Sequence, residues 1–164
     1  MKQNEILELF RQTGALLHGH FILRSGLHSR EFFQCALLLR DTKVAERVCG
    51  ALADQLRSTE FDTVISPALG GILVGQEVAR QLGKPHIFTE KNDTGALVLR
   101  RGFTIQPGER FAVIEDVVTR GGRLMETGRS SNNMAESWSP PHPWSTARAD
   151  NSPPWIFPSM ASSS

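Results

Sequence analysis

The segment from Phe111 to Gly122 constrains the fold more than any other part of the chain. It reads Phe-Ala-Val-Ile-Glu-Asp-Val-Val-Thr-Arg-Gly-Gly, so an apolar run passes into two carboxylates and then into a glycine-rich turn. A continuous apolar run is typical of a parallel strand that is covered on both faces. Open α/β sheets place their ligand crevice at the carboxyl ends of such strands, where Glu115 and Asp116 fall. The segment therefore predicts a polar site at one edge of a parallel sheet.

The turn after the two acids carries the residue types that bind phosphate. Thr119 offers a hydroxyl and Arg120 a guanidinium, while Gly121 and Gly122 let backbone N–H groups approach an anion. Carboxylates beside such a turn suit the hydroxyls of a sugar, so we predict a ribose 5-phosphate site. The alternative is an ordinary strand followed by an exposed turn, because acidic residues often end strands.

The whole segment resembles the signature of the type I phosphoribosyltransferases, which bind 5-phosphoribosyl-1-diphosphate (PRPP). The resemblance implies that the two acids hold the ribose 2′- and 3′-hydroxyls and that the residues from Thr119 to Arg123 wrap the 5′-phosphate. Arg120 and Arg123 depart from the small or hydroxyl residues usual there, and they either add charge to phosphate binding, which we favour, or crowd the loop. The PRPP contacts implied in this segment are Glu115, Asp116, Val117, Val118, Thr119, Arg120, Gly121, Gly122 and Arg123.

A second glycine pair follows an earlier predicted strand. In Pro67-Ala-Leu-Gly-Gly-Ile72, the missing side chains of Gly70 and Gly71 would let backbone N–H groups meet an anion at a helix N-terminus. The chain has neither a Walker A loop nor a G-x-G-x-x-G dinucleotide motif. The loop resembles the pyrophosphate loop of the phosphoribosyltransferases, although a Pro/Gly turn alone is more often merely a turn.

The residues from Phe21 to Gln34 bear on the base that accepts the ribosyl group. Phe21-Ile-Leu-Arg-Ser-Gly-Leu-His-Ser29 and the pair Phe32-Phe33 resemble the N-terminal segment of the orotate phosphoribosyltransferase family. The resemblance implies that Arg24 contacts PRPP and that the two Phe rings lie beside the pyrimidine, with Thr119 linking phosphate loop and base. An apolar surface with nearby cations suits a flat anionic base, but adjacent Phe residues are also common in cores.

The segment from Glu90 to Arg101 corresponds to the family's flexible loop, which closes over the active site. Closure excludes water, so a cation on the loop interacts more strongly with the departing diphosphate. Lys91 is the best match for that cation, although the usual basic set is thinner in this chain. The alternative is a solvated hairpin with scattered charges.

The resemblance implies transfer of ribose 5-phosphate from PRPP to orotate, with Glu115, Asp116 and Lys91 as the catalytic residues. The cofactor implied is Mg²⁺, held mainly by PRPP and not by protein ligands, and a homodimer is implied as well. Two alternatives remain open: a purine phosphoribosyltransferase, and a non-catalytic PRPP-binding regulator on the same fold. The second would call for a DNA-binding module or a basic face.

Composition limits the other classes of function. The formal net charge is +1 over 164 residues, which gives no basic field for nucleic acid. The two cysteines form no metal or disulfide pattern, the N-terminus lacks a signal peptide, and no run is long enough to span a membrane. We therefore expect a cytoplasmic chain with no nucleic-acid or membrane partner.

The periodicity predicts an α/β fold with a parallel central sheet flanked by helices. Helices are predicted over residues 4–13, over 42–57 with Thr42 as N-cap, and over 72–82. Strands are predicted over 61–65, 86–89 and 111–114, with a turn at Pro107-Gly108 and a loop-rich segment between the first two helices.

The character of the sequence changes after Thr127. All three Trp, six of the nine Pro and ten Ser lie in residues 128–164, where neither helical nor strand periodicity continues. We expect an incomplete phosphoribosyltransferase-like domain over 1–127 and an irregular tail over 128–164. One hypothesis is out-of-frame sequence replacing the native C-terminal part, and the other is a natural disordered tail. The family's arginine for the orotate carboxylate has no counterpart in the tail, which predicts impaired activity.

Overall fold

The computed structural model describes residues 1–23, 26–117 and 127. In chain order its elements are α1 (Gln3–Gln12), β1 (Leu16–Ile22), β2 (His28–Phe33), α2 (Cys35–Leu39), α3 (Thr42–Leu56), β3 (Thr63–Pro67), α4 (Gly70–Leu82), β4 (His86–Lys91), β5 (Leu97–Leu99) and β6 (Phe111–Val113). The predictions for residues 24, 25, 118–126 and 128–164 fall outside the described residues.

The main sheet has the strand order β5-β4-β3-β6. Within the described residues, both β4 and β6 run parallel to β3, and only the short edge strand β5 is antiparallel to its neighbour. All five residues of β3 are buried, as expected for a central strand between two neighbours. The predicted α/β class with a parallel central sheet is confirmed.

The helices α3 and α4 pack against each other, and α4 packs on β3. Their apolar side chains join those of α1 and of the sheet in one core. Its fully buried members include Phe10, Leu38, Val48, Val64 and Val74. Within the described ranges, no helix is both long and apolar enough to cross a bilayer.

The prediction of a loop-rich segment after the first helix is wrong, because the chain forms an antiparallel β-hairpin there. Strands β1 and β2 pair from Leu16 opposite Phe33 to Ile22 opposite His28, with an irregularity in between. Most of their side chains are exposed or half-buried, so the apolar alternation that marks a strand in sequence is missing. The short helix α2 follows directly.

Several element boundaries differ from the prediction by one or two residues. The N-cap of α3 is Asp41 and not Thr42, since the Asp41 carboxylate accepts from the N–H groups of Lys43 at 3.0 Å and Val44 at 3.2 Å. Strand β3 begins two residues later than expected, and α4 begins at Gly70 instead of Ile72. Because α4 starts earlier, Gly70 and Gly71 both lie in its first turn.

An ion-pair cluster joins the strands β3 and β6 at their amino ends. The Arg110 guanidinium donates to Asp62 at 3.1 Å and to Glu60 at 2.7 Å, and the Arg110 backbone N–H donates to Asp62 at 2.9 Å. Hydrogen bonds from Arg110, with its positive charge, lower the pKa of Asp62 to about 2.

We expect Asp62→Asn to make the Tm less dependent on pH between pH 4 and 2. A carboxyl whose pKa is depressed by folding stabilises the protein at pH above its unfolded value, about 3.9, and loses that contribution as pH falls through its folded value. The Tm difference between wild type and variant should therefore be constant above about pH 5 and shrink between pH 4 and 2. Arg110→Gln should remove only part of the effect, because the backbone N–H of residue 110 still donates to Asp62. Parallel loss of Tm in wild type and both variants would contradict this account.

Candidate active site at the carboxyl edge of the sheet

The carboxyl edge of the three parallel strands holds five of the predicted site residues, namely Gly70, Gly71, Lys91, Glu115 and Asp116. Pro67 ends β3, Lys91 ends β4, and Glu115 and Asp116 follow β6. Because β3, β4 and β6 are parallel, these ends share one edge of the sheet. The structure thus brings together the two motifs that the sequence singled out separately.

The closest approach between the two motifs joins Gly70 and Asp116. An ideal Cβ built on Gly70 would overlap the Asp116 carboxylate, with Cγ only 2.6 Å and Oδ1 only 2.8 Å away, and Oδ2 nearer still. Only a glycine lets the carboxylate lie against the first turn of α4. The absence of a side chain at Gly70 therefore permits the Asp116 carboxylate to occupy this position.

Asp116 is also held through its backbone. The Cys35 thiol at the start of α2 donates to the Asp116 carbonyl at 3.5 Å. Burial, reinforced by the negative charge of Asp116, raises the pKa of Cys35 far above its usual value, so the thiol keeps its proton. Glu115 is 8% exposed, which places this carboxyl group among the buried polar residues.

The loop before α4 leads its first turn to the same edge. The peptide bond between Ala68 and Leu69 is cis, and the Ala68 N–H donates to the Thr89 carbonyl at 2.7 Å. Leu69, the N-cap residue of α4, has an apolar side chain, which cannot accept from the N–H groups of the first turn. The first N–H groups of a helix have no acceptor within the helix, and an anion satisfies them well.

A neutral histidine fixes α4 on the sheet below this turn. His86 pairs through Nε2 with Ser66 Oγ at 2.7 Å and through Nδ1 with Gln76 Oε1 at 3.2 Å. Since the Gln76 oxygen only accepts, Nδ1 donates to it and Nε2 accepts from the Ser66 hydroxyl. Burial lowers the pKa of His86 to about 4, so the imidazole is neutral near pH 7.

Lys91 is exposed at the end of β4 and pairs with Leu97 of β5. The segment predicted as the closing loop forms a β-hairpin, which was the alternative weighed from the sequence. Its turn is organised by the Asn92 side chain, whose oxygen accepts from Thr94 N at 3.0 Å and Ala96 N at 2.9 Å. The catalytic role of Lys91 stays a prediction.

The predicted base-binding phenylalanines have different surroundings. Phe33 is 7% exposed and packs edge to face on Phe10, with ring centroids 5.0 Å apart. Phe32 is half-buried beside Phe21, with centroids 5.4 Å apart. Phe33 is thus part of the core, while Phe32 keeps an accessible face, and contact with a base stays a prediction for both.

Several predicted contacts lie outside the described residues, namely Arg24 and the phosphate loop residues Val118, Thr119, Arg120, Gly121, Gly122 and Arg123. The last described residue before that loop, Val117, is half-buried and packs against the core. Gly71, in contrast, is buried against Pro67 and Ser66. The PRPP contacts assigned to all of these residues stay predictions.

Sequence reasoning missed Cys35 and Thr89. Cys35 lies 81 residues before the carbonyl it contacts, so no local pattern reveals the contact. Thr89 is fully buried beside the loop that precedes α4, where its carbonyl accepts from Ala68 N–H. Its hydroxyl has no hydrogen-bond partner within the described part of the chain. Its position at the end of a predicted strand was the one available signal.

Solved structures with a similar fold include phosphoribosyltransferases and a UMP synthase. They include the UMP synthase of Leishmania donovani (TM-score 0.71, 18% identity, 82% of this chain and 29% of that chain). The orotate phosphoribosyltransferase of Mycobacterium tuberculosis H37Rv has a TM-score of 0.65 at 18% identity, over 81% of this chain and 76% of that chain. The adenine phosphoribosyltransferase of Thermoanaerobacter pseudethanolicus has a TM-score of 0.65 at 17% identity, over 81% of each chain. The chain therefore has the type I phosphoribosyltransferase fold.

Sequence similarity narrows the class. No family model matches the chain. The orotate phosphoribosyltransferase of Chlorobium phaeobacteroides is 50% identical over 126 residues, which are 77% of this chain and 65% of that protein. The Thermus thermophilus enzyme of the same name is 45% identical over 127 residues, 77% of this chain and 69% of that protein. The chain belongs to the orotate phosphoribosyltransferase family, and it spans about two thirds of the length of these relatives.

Proposed function

We propose that the chain transfers ribose 5-phosphate from PRPP to orotate, giving orotidine 5′-monophosphate and diphosphate in pyrimidine nucleotide biosynthesis. The observation that carries the proposal is the contact between Gly70 and Asp116. It unites an anion-accepting helix terminus with the carboxylates expected to hold a sugar, as a substrate with a diphosphate on its ribose requires. The names of the relatives support orotate as the acceptor.

The two carboxylates carry the sugar chemistry in this proposal. Glu115 and Asp116 accept hydrogen bonds from the ribose hydroxyls and orient the ring. As the bond between the anomeric carbon and the diphosphate breaks, positive charge develops on the ribose. Fixed carboxylates stabilise that charge without having to reorganise. No side-chain nucleophile is required, because orotate itself attacks the anomeric carbon.

The departing diphosphate is held at the N-terminus of α4 and by Lys91. Backbone N–H groups at the first turn of α4 favour negative charge, and Lys91 adds a cation from β4. Among the described residues, no group of three or more acidic, His or Cys side chains forms a metal cage. A Mg²⁺ ion would take its ligands mainly from the substrate and water, and this proposal assigns it no protein ligand. When bound, this ion neutralises charge on the diphosphate.

Orotate lies against Phe32 and Phe33 in this proposal, with Thr119 between the base and the phosphate loop. The exposed face of Phe32 supports this placement more directly than Phe33, whose ring is buried on Phe10. The purine alternative has less support, because the relatives at 45% and 50% identity are named for orotate.

A homodimer in the cytoplasm completes the proposal. The first turn of α4 exposes Leu69 at 82% and Leu73 at 53%, and residues four apart share one face of a helix. This apolar pair beside the site supports a second copy as its cover. Light scattering on the purified chain measures the oligomeric state, and a monomer at working concentration would contradict the dimer.

Binding and turnover of the whole 164-residue chain test the proposed function. We expect PRPP with Mg²⁺ to raise the Tm, since a ligand at 100 times its Kd stabilises by about 2.7 kcal/mol. We also expect diphosphate release that depends on orotate and not on adenine or hypoxanthine. Stabilisation by PRPP without turnover of any base would favour the PRPP-binding regulator. No stabilisation at saturating PRPP would contradict a working site.

A further inference from the structure

The chain reverses direction after β5 in a turn whose backbone is unusual. Arg101 has φ 61° and Gly102 has φ 77°, and the Phe103 N–H donates to the Arg100 carbonyl at 3.2 Å. Two central residues with positive φ and this hydrogen bond are the features of a type I′ turn. Gly102 suits such a position, but an arginine in the left-handed region is uncommon and disfavoured. Among the described residues, Arg101 is the only non-glycine residue with positive φ.

The Arg101 side chain makes a two-pronged ion pair with Glu90 of β4. Nε donates to Oε2 at 2.8 Å and a terminal nitrogen donates to Oε1 at 2.9 Å, which is the fork geometry of strong arginine–carboxylate pairs. The Glu90 side chain is only 22% exposed. The hydrogen bonds from Arg101 lower the pKa of Glu90, so the carboxylate is ionised near neutral pH. The pair offsets the cost of the left-handed Arg101 backbone.

A second contact holds the same turn on the same face of β4. Phe103 packs edge to face on Phe88, with ring centroids 5.1 Å apart. Phe88 and Glu90 are two residues apart on a strand, so their side chains share one face of the sheet. Lys91 follows directly, with its side chain on the opposite face. The turn from Arg100 to Phe103 therefore makes two contacts with β4, next to Lys91 at the end of that strand.

From this geometry we infer that Glu90 and Arg101 are positioning residues, which hold the β4–β5 hairpin so that Lys91 stays at the carboxyl edge of the sheet. The inference rests on the proposed function, in which Lys91 meets the departing diphosphate. It also explains why an acidic residue stands at position 90 in a segment where cations are expected. Glu90 acts through the backbone of Lys91 and does not itself touch the substrate.

The test compares Glu90→Gln, Arg101→Gly and the double variant. Arg101→Gly removes the ion pair while keeping a residue that accepts positive φ, which separates the ionic role from the backbone conformation. We expect each single variant to lower kcat by about 10- to 100-fold, because small misplacements of a catalytic group have effects of this size. The double variant should be no worse than either single one, and Arg101→Lys should recover part of the loss. The Tm should change little, because the Arg101 side chain is 64% exposed and ion pairs open to solvent contribute little to stability.

Hydrogen exchange at the hairpin amides gives a readout that does not require activity. We expect Glu90→Gln to speed exchange at the amides of residues 90–99. The control Asp54→Asn, which removes an exposed carboxylate partner of Arg57 on α3, should leave that segment unchanged. Unchanged exchange in Glu90→Gln would overturn the inference, and so would faster exchange with an unaltered kcat. If wild type turns over no base, the proposed function fails, and the exchange measurement still decides whether the pair holds the hairpin.

Discussion

Replacing Asp116 by Asn is expected to lower kcat/KM for PRPP by about 100- to 1000-fold, the range seen when one preorganised electrostatic contact is removed. Asn has nearly the same shape, so it fits against Gly70, where the carboxylate now lies. The Cys35 thiol donates to the backbone carbonyl of residue 116, and that contact does not depend on the side chain. What the variant loses is the negative charge that opposes developing positive charge on the ribose. Steady-state kinetics with PRPP and orotate measure the effect.

The matched control for this variant is Asp62→Asn. It also neutralises one carboxylate, but at the amino edge of the sheet, in the cluster with Arg110. Near neutral pH we expect it to keep the turnover of wild type. Equal kcat/KM values for Asp116→Asn and wild type, in a chain that is active, would remove the carboxylate from the mechanism. Equal losses in both variants would point to a general effect of charge or stability.

The parts of the fold that could be predicted from sequence are those covered on both faces. The strand from Thr63 to Pro67 is buried at every position, so its residues form a run that only a central strand needs. The strand from Phe111 was recognisable from its continuous apolar run, although only Ala112 of its three residues is buried. The hairpin of β1 and β2 was missed, because its faces are largely exposed and its pairing depends on backbone hydrogen bonds, which are the same for every sequence.

The candidate site shows a similar division. Each motif was visible alone, since a glycine pair after one strand and an acid pair after another are local patterns. Their contact was not visible, because the position of the Asp116 carboxylate depends on how β3 and β6 align in the sheet. The ion pair between Glu90 and Arg101 was hidden for the same reason. Its members are 11 residues apart, and the hairpin register brings them together.

The position of Gly70 against the Asp116 carboxylate makes this glycine sensitive to substitution. We expect Gly70→Ala to lower kcat/KM by about 100-fold or more while leaving the Tm nearly unchanged, because the loss arises from a displaced catalytic group. A Cβ on residue 70 would lie 2.6 Å from Asp116 Cγ, so the short carboxylate side chain must rotate away. Alanine is otherwise the better residue within a helix, which limits any cost to folding. Kinetics and thermal unfolding of the same preparation separate the two effects.

Gly50→Ala is the control for this prediction, because Gly50 lies within α3, away from the site. A Cβ there would meet the Gln81 side-chain oxygen at 2.9 Å, and a long flexible side chain can move aside. Both variants therefore add one methyl group to a helix, and only Gly70→Ala displaces a carboxylate. If Gly70→Ala keeps the activity of Gly50→Ala, the resting position of Asp116 does not matter for catalysis. If its activity is lost, Gly70→Ala combined with Asp116→Asn should lose less than the product of the two single losses, since both changes act on the same carboxylate.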